Sequence, residues 1–213
     1  MACGEYGEGK MSSPRQIYIY LENYFKKRDI LKKKKFKALV TAGPTKEYID
    51  PVRYISNESS GKQGYEIALA LNKLGIKTKL ITGPTNLVHQ RNIITRKVVT
   101  AQEMFNEVKK SLPVDVAVCA AAVTDFKPRR KSRNKIKKNT KNISSIQIEQ
   151  NKDILDFLGK NNFHRPKLVV GFSAETINLT RNSILKMREK IVISWSQMMF
   201  QRKTVDLILI LIE

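Results

Sequence analysis

The chain has 213 residues, 41% of them hydrophobic, a balance that supports one folded domain with a proper core and excludes disorder throughout. Its 40 Lys and Arg against 19 Asp and Glu give a formal net charge of +21, which points to a polyanionic partner. Basic runs at residues 32–35 and 127–141 are not interleaved with aromatics, which disfavours a nucleic-acid stacking surface and favours a phosphate-rich small substrate. Cys3 and Cys119 offer neither a disulfide framework nor metal-ligand spacing. No apolar run approaches the ~20 residues of a membrane span, and the N-terminus lacks a signal-peptide run, so a cytoplasmic protein without a membrane partner is expected.

Residues 1–13 are small and glycine-rich, unlike the rest of the chain. A helix is predicted over 16–27, with Ile17, Ile19, Tyr20, Leu21 and Tyr24, followed by a lysine-rich linker. From Phe36 the pattern alternates: strand 37–41, helix 60–74, strand 77–82, a Gly-Pro loop and a short strand 97–100. Thr100 and Glu103 form a capping-box pattern ahead of helix 101–111. Next come strand 114–120, a lysine-rich segment to 141, strand 143–148, helix 152–158, a buried strand 167–172 and a helix from 178 to 190. This alternation predicts an α/β fold, a Rossmann-like, mostly parallel sheet with helices on both faces.

The richest stretch is VTAGPTKEYIDPVRYISNESSGKQGYEIALA, from Val40 to Ala70. A buried strand ends at Gly43, and Ser59-Ser60-Gly61 opens the next helix. Strand, glycine loop and serine-rich helix start place free N–H groups and a positive helix end at one anion. Ser59 or Ser60 is expected to cap the helix. The insert between them carries Arg53 and Asn57, able to hold a carboxylate or phosphate and an acyl oxygen. No G-x-G-x-x-G is present, strand 77–82 ends in Thr82-Gly83 without the ribose-binding acid, and Gly61-Lys62 lacks the upstream glycine of a P-loop. After strand 114–120 come Ala121, Ala122 and Asp125. Small alanines also serve helix–sheet packing, and Asp125 just beyond them shifts the balance toward a ligand. Lys135 opens KIKK behind Arg129, Arg130, Lys131 and Arg133. Lysine runs are usually solvated surface, but this one repels itself unless an anion meets it, as in a mobile loop closing over a triphosphate.

TAGPT, DPVRYISNxSSGKxG, AAAVxDF, KIKK and VVGFxAET, in that order and spacing, resemble phosphopantothenate–cysteine ligase (phosphopantothenoylcysteine synthetase) from about Phe36 to Lys190. The resemblance implies CTP-dependent joining of 4′-phosphopantothenate and L-cysteine through an acyl-cytidylate in coenzyme A biosynthesis, with Mg2+ on the triphosphate and metal ligands undetermined. It assigns Asn57, Arg53 and Lys135 to the chemistry. It places Gly43, Ser59, Ser60, Gly61, Ala121, Ala122 and Asp125 at the CTP and intermediate site. Asn151, Lys152, Asp153, Ile154 and Leu155 match a nucleotide segment in which Lys152 replaces a proline; Phe172 sits where an aromatic contacts cytosine, and Lys186 and Lys190 share a helix face. A homodimer is expected by family analogy.

Residues 2–11 resemble the end of the flavin-dependent phosphopantothenoylcysteine decarboxylase, to which bacterial ligases are often fused. Cys3 matches its reactive cysteine without the flavin-binding body, so neither decarboxylation nor bound FMN is expected, and a separate decarboxylase chain is a candidate partner. After Lys190 the tail IVISWSQMMFQRKTVDLILILIE departs from the family's Ala-Asn-Asp ending, which a shifted reading of permissible codons restores as NCDLMVANDVSKKDGGFDSD. A single-base slip near Lys190 is therefore expected. The resulting division is 1–13 decarboxylase remnant, 14–35 helix and basic linker, 36–190 ligase domain and 191–213 altered tail, which could pair as a strand. An inactive fragment serving as a binding or oligomerisation module, or a basic nucleic-acid-binding domain, are the alternatives.

Overall fold

Strand β1 (Lys37–Ala42) is buried on both sides. Ala38, Val40 and Ala42 enter one apolar cluster and Leu39 the other, all at 1% exposure or less. Such a strand needs cover on both faces, the condition of a parallel sheet between helices. The computed structural model describes residues 14–27, 36–88, 92–137, 145–160, 163–175, 194–201 and 204–211, and shows that arrangement.

The same alternation runs through β4 (Lys77–Thr82), β6 (Val116–Cys119) and β9 (Leu168–Glu175). Leu80, Val116, Val118, Leu168 and Val170 join the first cluster; Ile81, Ala117 and Val169 join the second. With β5 (Ile94–Lys97), β10 (Ser194–Gln201) and β11 (Thr204–Leu211), these strands form a seven-stranded sheet ordered β11-β10-β9-β6-β1-β4-β5. Every neighbouring pair is parallel except β10 with β11. Helix α1 (Pro14–Lys27) contributes Ile17 and Leu21 to the first cluster, and α2 (Lys62–Lys73) contributes Ile67, Ala68 and Leu71. The opposite face carries α3 (Ala101–Ser111) and α4 (Ile154–Lys160), through Met104, Phe105, Val108 and Leu158. The predicted capping box holds: Glu103 N–H donates to Thr100 Oγ1 at 3.2 Å, and Thr100 N–H to Glu103 Oε2 at 3.4 Å.

Several expectations shift. The strand predicted at 97–100 is Ile94–Lys97, because its ladder with β4 ends at the Thr82–Lys97 pair and the next residues turn to cap α3. The strand predicted at 143–148 appears as β8 (Ile148–Gln150), outside the main sheet. It pairs antiparallel with β7 (Phe126–Pro128), and all its residues are exposed, so it has no core face to dock. The tail pairs as a strand: β10 runs parallel beside β9 and covers its edge. Residues 1–13, the 28–35 part of the linker and the helix predicted over 178–190 lie outside the described residues.

Gly64 sits in α2 where the helix lies on β1, and a β-carbon there would fall 2.5 Å from Ala42 Cβ and 2.9 Å from Thr41 O. Neither neighbour can move aside as a flexible tip could. Gly64→Ala should therefore destabilise the fold by ~1–3 kcal/mol despite alanine's better helix propensity. A urea midpoint equal to or above that of the wild type would contradict this packing.

Candidate active site at the carboxyl edge of the sheet

From β1 the chain winds through α2 to β4 and β5 on one side, then returns to lay β6 and β9 on the other. The winding reverses between β1 and β6, and ligands of open α/β sheets bind in the crevice outside the carboxyl ends at such a point. The two loops that open there stay paired beyond the sheet. Ala120 N–H donates to Thr41 O at 3.2 Å and Ala122 N–H to Gly43 O at 2.9 Å, while Ala121 N–H donates to Thr41 Oγ1 at 3.3 Å. Ala121 and Ala122 thus lie directly beside Gly43.

Gly43 (φ 71°) and Gly61 (φ 76°) both adopt the left-handed conformation that glycine tolerates. Their loops meet: a β-carbon on Gly61 would fall 3.2 Å from Gly43 N and 2.8 Å from Thr85 Cγ2. The cap differs from expectation. Gly61 itself is the N-cap of α2 and no side chain caps the helix. Ser59 Oγ instead accepts from Gly61 N–H at 3.2 Å, and Ser60 Oγ from Lys62 N–H at 3.4 Å. With a left-handed glycine at that position, the serines close the approach turn and cannot reach one residue further along. The first turn of α2 carries no acidic residue, so its positive end is uncompensated. Among the described residues, Gln63 Nε2 is buried without a hydrogen-bond partner, a donor in that same turn.

The insert folds as a hairpin of β2 (Lys46–Tyr48) and β3 (Tyr54–Ser56) and returns to the crevice. Ser56 Oγ donates to Thr45 O at 2.8 Å, and Asn57 Nδ2 donates to Val123 O at 2.9 Å. Asn57 is exposed beside Ala122, and this bond uses one of its two N–H groups. Beneath it, Thr45 and Thr124 hydroxyls meet at 3.0 Å, and Asn151 Nδ2 donates to Thr124 O at 2.9 Å. Buried Glu47 accepts from Ala101 N–H at 2.7 Å and from the Thr124 hydroxyl at 3.4 Å, joining the insert to the start of α3.

The basic loop is held against the hairpin turn. Ser132 N–H donates to Ile49 O at 2.9 Å, Ile136 N–H to Asp50 Oδ2 at 3.2 Å, and Arg53 Nη2 to Ile136 O at 3.1 Å. Lys135 itself is exposed. Arg53, expected to face substrate, thus has its guanidinium shared between Asp50 and this loop. Burial opposes charge on Asp50, but hydrogen bonds from the N–H groups of Val52, Arg53 and Ile136 and the nearby Arg53 guanidinium outweigh it and hold the carboxyl below its ordinary range.

The remaining expected residues fall in three places. Asp125 is exposed at the crevice, and its carbonyl accepts from Asn151 N–H at 2.8 Å. Lys152 and Asp153 instead line an open depression of about 470 Å³ with Phe105, Asp156, Phe157 and Lys160. There Lys152 Nζ lies 5.1 Å from the Phe105 ring centre, and Asp153 Oδ1 accepts from Asp156 N–H at 3.0 Å. Ile154 and Leu155, expected at the nucleotide, are core residues at 5% and 8% exposure, because this turn of α4 faces the sheet. Phe172 is half-buried against the first cluster, and Lys186 and Lys190 lie outside the described residues. Sequence reasoning missed Asp50, Thr45, Glu47 and Thr124, and named Asn151 only as part of the nucleotide segment. Asp50-Pro51 signals a turn, but nothing in the sequence marks the burial of these side chains.

Fold and crevice define a Rossmann-like α/β protein with a candidate anion site at its switch point. The chain belongs to the family described as the DNA/pantothenate metabolism flavoprotein C-terminal domain, which matches residues 32–205. It is 41% identical over 179 residues to the Coenzyme A biosynthesis bifunctional protein CoaBC of Haemophilus influenzae, covering 84% of this chain and 44% of that protein. With the CoaBC of Borreliella burgdorferi it shares 38% identity over 192 residues, covering 90% and 48% respectively. The chain therefore spans about half the length of these relatives. A crystal structure of the C-terminal domain of CoaBC superposes with a TM-score of 0.67 at 34% identity, covering 83% of this chain and 86% of that one. A Cab2 mutant in complex with phosphopantothenate-cysteine shares the fold, with a TM-score of 0.68 at 15% identity over 96% of this chain and 85% of that one. Among the described residues no helix is long and apolar enough to cross a membrane.

A carboxyl with a lower pKa folded than unfolded adds stability above its unfolded value, near ~4, and loses it as pH falls through the folded value. The Asp50 contribution should thus be complete at neutral pH and fade only in acid. In denaturant titrations by circular dichroism, wild type should exceed Asp50→Asn in stability at pH about 7, with the gap closing below pH about 4. A gap that stays constant through the acid range would show that the charge contributes nothing.

Proposed function

We propose that this chain is a CTP-dependent phosphopantothenate–cysteine ligase acting in coenzyme A biosynthesis. The observation that supports this reading is a run of hydrogen bonds that links three motifs distant in sequence. Gly43 and Gly61 meet at the positive end of α2, Asn57 is bonded to Val123 O, and the Lys135 loop is tied to the hairpin of the same insert. Family membership and the CoaBC relatives favour the same conclusion.

In this reading the 4′-phosphopantothenate carboxylate attacks the α-phosphorus of CTP and expels pyrophosphate, leaving an acyl-cytidylate. The cysteine amine then attacks the acyl carbon, forming the amide and releasing CMP. A carboxylate is a poor electrophile with a poor leaving group, and the phosphoryl ester corrects both. Gly43, Ser59, Ser60 and Gly61 cradle phosphate at the positive end of α2. Ala121 and Ala122 let the intermediate lie against the backbone, with Asp125 at the rim. The second N–H of Asn57 donates to an oxygen of the mixed anhydride, and Lys135 brings its ammonium to the phosphates as negative charge moves onto the leaving group. Magnesium accompanies the triphosphate as part of the substrate. Among the described residues no group of three or more His, Cys, Asp or Glu could hold a metal. Homodimerisation is proposed by family analogy.

Pyrophosphate release from CTP should require phosphopantothenate and continue beyond one turnover only with cysteine; release indifferent to phosphopantothenate would refute the assignment, and no release at all would favour an inactive fragment. Asn57→Asp should keep the fold and still bind CTP, while turnover falls ~10²–10³-fold through loss of a donor and added repulsion. Near-normal product formation by that variant would remove Asn57 from the mechanism. Lys135→Ala should lower turnover far more than it lowers the melting temperature, because its side chain is exposed on the loop surface. Matching losses in both would instead indicate a structural lysine.

A further inference from the structure

The two oxygens of the buried Asp50 carboxylate divide their work between two segments. Oδ1 accepts from the N–H groups of Val52 and Arg53, each at 2.8 Å, and closes the turn between β2 and β3. Oδ2 faces the basic loop, accepting from Ile136 N–H at 3.2 Å and lying 3.5 Å from Arg53 Nη1. The same guanidinium donates through Nη2 to Ile136 O at 3.1 Å. One ion pair therefore grips both the N–H and the C=O of Ile136, a residue 86 positions from Asp50. Ser132 N–H to Ile49 O ties the other end of the segment to the same turn. Lys135 lies between the two ties, with its backbone held and its side chain exposed.

We propose that the Asp50–Arg53 pair is a latch that presets Lys135 for nucleotidyl transfer, with Asp50 and Arg53 as positioning residues of the reaction. The proposal rests on the ligase reading and adds to it how the lysine reaches its place. A loop carrying Arg129, Arg130, Lys131, Arg133, Lys135 and Lys137 repels itself and would otherwise be ordered only at the expense of substrate binding energy. The ion pair at its foot instead fixes the loop backbone through hydrogen bonds to Ile136, without competing with substrate for the lysine. Arginine suits the place, because its rigid planar fork meets the carboxylate with one nitrogen and the carbonyl with the other.

Asp50→Asn tests this in the full chain, since an amide keeps the volume and the Oδ1 turn bonds but sets an N–H2 group where Oδ2 met Ile136 N–H. Amide hydrogen exchange at Ile136 should accelerate about tenfold or more beyond the change in β1 and β6 that the loss of global stability sets. Turnover should fall roughly tenfold to hundredfold with little change in the KM for CTP. The double variant with Lys135→Ala should turn over no more slowly than Lys135→Ala alone, as expected of residues acting in one unit. If Asp50→Asn loosens β1 as well, Arg53→Lys carries the test, because it leaves the backbone bonds of the turn intact. Unchanged exchange at Ile136, or losses that multiply in the double variant, would overturn the latch. A wild-type chain without ligase turnover would overturn the ligase reading instead, and exchange at Ile136 would then decide the latch alone.

Discussion

The loops of Gly43 and Gly61 meet against the methyl of Thr85, and the crevice side of the sheet is arranged around that contact. A β-carbon on either would lie within 2.7–2.8 Å of Thr85 Cγ2, so three loops meet at one point with only a methyl between them. Because the end of β1 is pinned to the start of α2, the residues between them must leave and return to the same place. A short link would make a plain phosphate loop. The long one becomes the β2–β3 hairpin, and its return brings Asn57 onto Val123 beside the anion site. One steric constraint thus brings the insertion back to the crevice at the end of β1.

Two buried carboxylates hold that excursion in shape. Buried charge is tolerated when hydrogen bonds and counter-charges replace water, and here backbone N–H groups supply most of the replacement. Glu47 receives Ala101 N–H from the opposite side of the sheet, and Asp50 receives Ile136 N–H from the basic loop. Each carboxylate therefore fixes a segment remote in sequence, not only a neighbouring side chain. The Thr45–Thr124 pair and Asn151 extend the same logic under the alanine loop. Rigid support below and exposed Asn57 and Lys135 above suit a site that must order flexible phosphates without being remade at each turnover.

Much of the fold was legible because its signals are local. The alternating core residues of β1, β4 and β6 announce a sheet covered on both faces, and the Thr100–Glu103 box marks the start of α3 to the residue. Errors arose where tertiary contacts decide. Residues 143–148 read as a strand by composition, yet the paired residues are Ile148–Gln150, in a ribbon set by β7 and outside the sheet. Ser59 and Ser60 read as caps, but a left-handed Gly61 takes that place. At the site, the glycines, alanines and lysines stand out because they recur together in short motifs. Asp50 and Glu47 do not, since an acidic residue in a polar insert is ordinarily solvated. Ile154 and Leu155 show the reverse case, apolar residues beside a ligand-type motif that serve the core.

In the proposed reaction the crevice between β1 and β6 activates a carboxylate as a mixed anhydride with a nucleotide. The most direct measurement tracks the oxygen. With phosphopantothenate labelled in its carboxylate by oxygen-18, carboxylate attack on the α-phosphorus and then amine attack on the acyl carbon leave one label in the phosphate of CMP. Mass spectrometry of CMP isolated after turnover with cysteine should show that transfer. Label in pyrophosphate, or in neither nucleotide product nor pyrophosphate while the amide still forms, would contradict the account.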